Sequence, residues 1–316
     1  MKYIAPKILK PNAKFAVVAP ASSFDSCEVY RGLQILQEQG FSPILGENIF
    51  FLRTNGLYSA PLEKRIEEFT WAIEDNTIDA IICATGGFGS AQILPYLPYE
   101  KIAKTRKPII GFSDISAINN AILAKSNLIT FNGPMVSVRT DTYDHEEKDK
   151  KSLEFALELL QTNESWGSKP FIDNKFLPRC VSMGTASGPS IGGNLSTIET
   201  LIGTPYMPDS TGAILFIEDT HESGYEISKL LSHLKLAEIL DKLSGIVVGR
   251  FTAQKDASSA DVPSIEQVIV EHLQDGPPCI FGLNFSHITS SATIPIGAET
   301  TVDANKLQVT FGNPFA

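Results

Sequence analysis

A chain of 316 residues with 43% hydrophobic and 20% charged side chains is long enough to bury two ordinary cores without disulfide or metal support, and this average composition excludes a disordered protein. The formal net charge of −10 and the scatter of the lysines and arginines exclude a surface built for a phosphate backbone, so no nucleic-acid partner is expected. The first apolar run, Phe15 to Ala19, is too short for an exported leader or a membrane span, and four cysteines without a C-x-x-C pair read as reduced thiols, three of them core-filling, in a cytoplasmic protein.

The first half alternates short apolar runs with helical spacing, the pattern of a mostly parallel sheet flanked by helices. Phe15 to Pro20 reads as the first strand. Val29, Leu33 and Leu36 mark a helix that Gly40 is placed to close, and Leu62, Ile66, Phe69 and Ile73 mark a second. Ile78 to Ala84 and Pro108 to Phe112 are buried strands, the latter followed almost at once by a helix with the stripe Ile115, Ile118, Ile122.

Between about Arg139 and Cys180 the pattern changes to a charge run, Asp144 to Lys151, read as a solvated helix start, then an amphipathic helix over Leu153 to Leu160. The expected organisation is an N-terminal α/β domain over 1–140, a linker with one helix over 141–180, and a C-terminal domain over 181–316. That domain has strands at Ala213 to Ile217, Gly245 to Gly249 and Cys279 to Gly282. Its last stretch, Thr293 to Phe311, is rich in Thr, Val and Ile and reads as β structure without helices, which gives the domain a β-rich core.

The most informative local feature is Gly111-Phe-Ser-Asp114, where a strand stops and a helix starts within about two residues. The Ser113 hydroxyl then stands at a tight turn beside the N–H groups of a helix N-terminus, which favours the anion of acyl transfer. A plain N-cap role explains the same residues, and the run lacks the G-x-S-x-G spacing of α/β-hydrolases. Thr85-Gly-Gly-Phe-Gly-Ser90 follows a strand. It suits a phosphate cradle, an oxyanion N–H or a simple turn, but it lacks the G-x-G-x-x-G spacing of dinucleotide sites.

Glu218 and Asp219 end an apolar strand, where carboxylates usually meet solvent; orienting a histidine is the alternative role for one of them. His145, His233 and His272 sit in helical or charged contexts and read as surface residues. His221 and His287 sit in loops, and helix packing does not explain His287.

Taken together, Gly86-Gly-Phe-Gly89, Leu94-Pro-Tyr96, Ile110-Gly-Phe-Ser-Asp114, Gly192-Gly-Asn-Leu195, Gly203-Thr-Pro-Tyr206, Ile214-Leu-Phe-Ile-Glu-Asp219 and Ser286-His287 leading to Pro295-Ile-Gly297 resemble the LD-carboxypeptidase family of serine peptidases, in order and over nearly the whole chain. Tyr206-Met-Pro-Asp209, Leu215-Phe-Ile-Glu-Asp219 and Ser286 before His287 are similar to its microcin C self-immunity branch. The resemblance implies Ser113 as nucleophile, Glu218 as triad acid and His287 as base, with the backbone N–H groups of Gly87 and Asp114 forming the oxyanion hole. Gly86, Asn194 and Glu222 are the substrate-binding candidates. The implied fold is a Rossmann-like N-terminal parallel sheet with flanking helices, a C-terminal domain with a β-rich core, and an active site between them in a homodimer.

No metal or cofactor is implied. The expected partner is a small peptide or aminoacyl-nucleotide substrate, with no nucleic acid and no membrane. Thr85 replaces a frequent Arg, Pro189-Ser190 interrupts the usual run before Gly192, and Thr220-His221-Glu222 lacks the basic residues of the microcin branch. Murein tetrapeptide cleavage, a non-catalytic ligand-binding protein on the same frame, and a nucleotide-dependent enzyme are the alternatives.

Overall fold

The computed structural model describes residues 3–50, 57–166, 177–254 and 263–315. In the first half, strands β1 (Lys14–Val18), β2 (Ser42–Leu45), β3 (Ala80–Cys83), β4 (Ile109–Ile110) and β5 (Thr130–Asn132) run parallel in the order β5-β4-β3-β1-β2. Helices α1 (Ser26–Glu38), α2 (Leu62–Glu74), α3 (Tyr99–Thr105) and α4 (Ile115–Ser126) connect them.

Successive side chains of β1 enter two different cores. Phe15 and Val17 join Val29, Ile35 and Leu36 of α1, whereas Ala16 and Val18 join Phe69 and Ile73 of α2 and Ile115, Ile118 and Ile122 of α4. Burial on both faces is why the strand reads as an unbroken apolar run. Asp25 caps α1 by accepting the Cys27 N–H at 2.7 Å, and Gly40, at φ +82°, closes it.

The charge run lies inside α5 (Tyr143–Leu159), capped by Thr142, so it is the start of the connecting helix, as expected, and the amphipathic stretch from Leu153 continues the same helix. Its apolar side, Leu153, Ala156 and Leu157, joins the core under α1, and Glu146 accepts from Arg31 of α1 at 2.6 Å. Residues 167–176 of the expected linker lie outside the described residues.

The second half contributes β6 (Arg179–Ser182), β7 (Thr185–Asn194), α6 (Leu195–Glu199), β8 (Ile214–Thr220), α7 (Gly224–Leu236), β9 (Gly245–Thr252), α8 (Ile265–Leu273), β10 (Cys279–Phe281), β11 (Ile294–Ile296), β12 (Glu299–Asp303) and β13 (Gln308–Phe311). Its seven-stranded sheet, ordered β13-β12-β7-β8-β9-β10-β6, is parallel from β7 to β10 and antiparallel at both edges. Helices α7 and α8, each started by a capping box at Ser223/Glu226 and Ser264/Gln267, cover it through Ile227, Leu231, Val268 and Ile269.

As expected, Thr293 to Phe311 contains strands and no helix, but β11 does not join its neighbours. It pairs antiparallel with β5 and becomes the sixth strand of the first sheet, so the chain crosses back between the halves just after His287. Cys83 and Cys279 are buried while Cys27 and Cys180 are exposed, so the core takes two thiols and not three. Trp166 is buried, bridging to Phe311 and stacking 6.0 Å from Phe131. Among the described residues no helix is long and apolar enough to cross a membrane.

Candidate active site

Strand β4 stops at Ile110 and α4 starts at Ile115, which leaves Gly111–Asp114 as the turn. Ser113 occupies the left-handed region at φ +65°. For a residue with a side chain that conformation costs on the order of 1–3 kcal/mol. Asp114, not Ser113, holds the N-cap position, and it makes no side-chain cap bond. The plain N-cap explanation of Ser113 is therefore overturned. The Asp114 carboxylate is buried and accepts the Ser90 N–H at 2.7 Å. Burial pushes its pKa up despite the two Ser90 hydrogen bonds that pull it down.

The glycine loop lies against this turn. A Cβ on Gly86 would stand 2.8 Å from Ser113 Cβ and 3.1 Å from Ser113 Oγ, so only glycine lets the loop pass so close to the hydroxyl. Gly87 follows in the left-handed region, and the Phe88 N–H donates to Ser22 Oγ at 3.0 Å. Arg65 of α2, 1% exposed, clamps the whole arrangement. Its guanidinium donates to Pro20 O at 3.0 Å, Gly89 O at 2.9 Å, Ala60 O at 3.2 Å and Gln92 Oε1 at 2.6 Å, and lies 4.6 Å over the Tyr58 ring.

From the second sheet, Glu218 and Asp219 do not meet solvent as strand-end carboxylates: β8 continues to Thr220, and the two are 0% and 1% exposed. The β8–β9 register shifts between Ile217 and Asp219, an irregularity of the kind that re-aims a side chain beside a site. Glu218 Oε2 accepts from His287 Nδ1 at 2.7 Å, and Ser113 Oγ lies 3.0 Å from His287 Nε2. A carboxylate only accepts, so the proton sits on Nδ1 and leaves Nε2 as acceptor for the serine hydroxyl. Burial alone lowers the His287 pKa, but the charge and hydrogen bond of Glu218, helped by Asp219, outweigh it and hold the imidazole above its ordinary value.

Of these groups His287 lines a cavity of about 1110 Å³, together with Thr85, Phe112, Arg139, Arg250 and Ser286 among others. Arg139 enters it while paired with Asp149 at 2.6 and 2.7 Å. His221 lines the cavity as well, and Glu222 is the next residue. Asn194, expected to touch substrate, is 5% exposed: its amide donates to Asp219 Oδ1 at 2.8 Å and its Oδ1 caps α6. Tyr206 stacks 6.3 Å from Tyr99, and Asp209 accepts the Thr211 N–H, so Tyr206-Met-Pro-Asp209 is a packing and turn element.

Sequence reasoning missed Arg65. The available signal was its position four residues before Phe69 and seven before Ala72, which puts a cation on the apolar stripe of α2.

Residues 15–133 match the LD-carboxypeptidase N-terminal domain and residues 187–302 the LD-carboxypeptidase C-terminal domain. A probable murein peptide carboxypeptidase of Bacillus subtilis is 31% identical, the match covering 94% of this chain and 91% of that protein. The microcin C7 self-immunity protein MccF of Escherichia coli is also 31% identical, over 95% of this chain and 92% of that one. The structure of MccF in complex with glutamyl sulfamoyl guanosine superposes with a TM-score of 0.88 at 25% identity, over 98% of both chains.

Proposed function

Because the chain belongs to the LD-carboxypeptidase family, we propose that it is a serine carboxypeptidase with a Ser113–His287–Glu218 triad, hydrolysing the C-terminal amide or peptide bond of a small substrate. The observation that carries this reading is the unbroken chain Ser113 Oγ, His287 Nε2, His287 Nδ1, Glu218 Oε2 at 3.0 and 2.7 Å. Neutral His287 takes the hydroxyl proton as Ser113 Oγ bonds to the carbonyl carbon. Glu218 stabilises the imidazolium, which then gives its proton to the leaving amine. The N–H groups of Gly87 and Asp114 face the developing oxyanion, and water hydrolyses the acyl-enzyme by the same route. A fluorophosphonate probe tests this: stoichiometric labelling mapped to Ser113 and absent in Ser113→Ala supports the enzyme, and no labelling of a folded protein leaves a ligand-binding protein.

Two substrates fit the family. An aminoacyl-nucleotide or related acyl-amide agrees with the large cavity bearing Arg139, Lys148 and Arg250. Gly86, Asn194 and Glu222 are the proposed contacts, Asn194 through its second amide hydrogen. A murein tetrapeptide is favoured instead by Glu222, a carboxylate that repels a phosphate-like linker. A cytoplasmic setting agrees with the free thiols, and the homodimer implied by the family is checked by light scattering.

A further inference from the structure

The nucleophile and the base come from different halves of the chain, 174 residues apart, and a buried polar chain runs between their supports. Ser116, on the first turn of α4 and fully buried, donates from Oγ to Asn132 Oδ1 at 3.0 Å. Asn132, the last residue of β5 and 1% exposed, donates from Nδ2 to Ser286 Oγ at 3.0 Å. Ser286 adjoins His287, is 3% exposed and holds the left-handed region at φ +64°.

Strand β7 closes over this chain. The Asn194 N–H donates to Ser116 Oγ at 3.2 Å. A Cβ on Gly193, at φ +137°, would lie 2.2 Å from Ser116 Oγ and 3.1 Å from Asn132 Oδ1. The second glycine of Gly192-Gly-Asn194 is thus required by the approach of backbone to these two side chains.

We propose that Ser116 and Asn132 are positioning residues that hold the Ser113–His287 separation, by tying the nucleophile helix to the serine in front of the base; this rests on the serine carboxypeptidase reading. A left-handed serine is a strained anchor, and it persists only where its surroundings over-determine it. The Asn132 hydrogen bond to Ser286 Oγ is such a constraint, and it acts one residue from the imidazole. Because Asn132 also accepts from Ser116, a shift of α4 and a shift of the histidine loop are resisted by the same amide.

The test measures kcat, KM and fluorophosphonate labelling of Ser113 for Asn132→Ala and Ser286→Gly, each alone and combined with His287→Ala. Alone, each is expected to lower kcat about 10- to 100-fold with KM within about 2-fold, and labelling slows in parallel. In the His287→Ala background neither is expected to change the residual rate, because the base that they position is gone. Equal losses in both backgrounds, or a loss confined to KM, overturn the proposal. If Asn132→Ala does not fold, Ser286→Gly decides alone, since glycine keeps the left-handed turn and removes the hydroxymethyl group that Asn132 holds. Wild type that is not labelled at Ser113 overturns the enzyme reading together with this one, whereas labelled wild type with losses in both backgrounds overturns this one only.

Discussion

Ser113 Oγ and His287 Nε2 stand 3.0 Å apart, the serine on a strained turn of one sheet and the histidine on a loop of the other. Groups that share one proton transfer lose activity as a unit. Ser113→Ala and His287→Ala are each expected to lower kcat about 10⁴-fold or more, and the double variant should be little worse. Steady-state kinetics on the three proteins checks this, and multiplied losses would assign the two residues separate roles.

Glu218 and Asp219 are equally buried neighbours with different partners. Glu218 holds the His287 imidazole, while Asp219 accepts from the Asn194 amide and from the Ser196 and Thr220 N–H groups, each at 2.8 Å. Glu218→Gln is expected to cost roughly 10³-fold or more in kcat through the lost tautomer. Asp219→Asn leaves the Ser113–His287–Glu218 hydrogen bonds in place but turns an acceptor into a donor. It should appear chiefly as about 1–3 kcal/mol of stability in chemical denaturation. The reverse ranking in kcat would move the orienting role to Asp219.

The pH profile follows from the raised His287 pKa. The base must be neutral, so kcat/KM should rise with pH with its midpoint above the ordinary imidazole value of about 6.5. In Glu218→Gln the attraction that raises the pKa is gone and burial remains, so the midpoint of the residual activity should move down. The folded state binds this proton more tightly than the unfolded chain does. The pair's contribution to stability is therefore full below the unfolded imidazole pKa and is lost as pH rises through the folded value. A midpoint that Glu218→Gln does not move would place the titrating group elsewhere.

How much of this was legible depends on whether the cause was local. Phe15 to Pro20 and Ile78 to Ala84 read as strands because burial on both faces leaves a nearly unbroken apolar run, and Gly111-Phe-Ser-Asp114 showed its strand-to-helix turn directly. The pairing of Ile294–Ile296 with β5 was not legible, because its partner lies far back in the chain and Pro295 argues against a paired strand. The burial of Glu218 was hidden for a related reason. A carboxylate at the end of an apolar run looks solvated until His287, 69 residues later, is known to meet it. Family resemblance supplied that long-range link where spacing alone left it open.

Arg65 offers a test of the glycine loop that leaves the triad untouched. Four hydrogen bonds from one buried guanidinium tie the segment just after Gly86 and Gly87, at Gly89 and Gln92, to Pro20 and Ala60. Lysine supplies a charge without the fork, so Arg65→Lys should lower kcat by about 10-fold or more while leaving the pH midpoint in place. Arg65→Met strands buried carbonyl oxygens and should cost about 3 kcal/mol or more of stability. Unchanged kcat in a folded Arg65→Lys protein would mean that the loop needs no clamp.

The substrate proposal is tested at Glu222, which follows the cavity-lining His221 in the loop after β8. Of the three features similar to the microcin branch, neither Tyr206-Met-Pro-Asp209, stacked on Tyr99, nor Leu215-Phe-Ile-Glu-Asp219 of β8 lines the cavity, whereas Ser286-His287 does. The sequence likeness therefore weighs less on substrate than its length suggests, and electrostatics decides. A carboxylate beside a phosphate-like linker is repulsive, and a lysine there is attractive. Glu222→Lys is expected to raise kcat/KM on aspartyl sulfamoyl adenosine by about 10-fold, about 1.4 kcal/mol, and to change a murein tetrapeptide less, since the amines of that peptide offset part of the attraction of its carboxylates to the lysine. Wild type should already cleave the nucleotide conjugate at a modest rate. If the tetrapeptide is turned over efficiently while Glu222→Lys brings no gain on the conjugate, the aminoacyl-nucleotide reading falls and murein peptide cleavage takes its place.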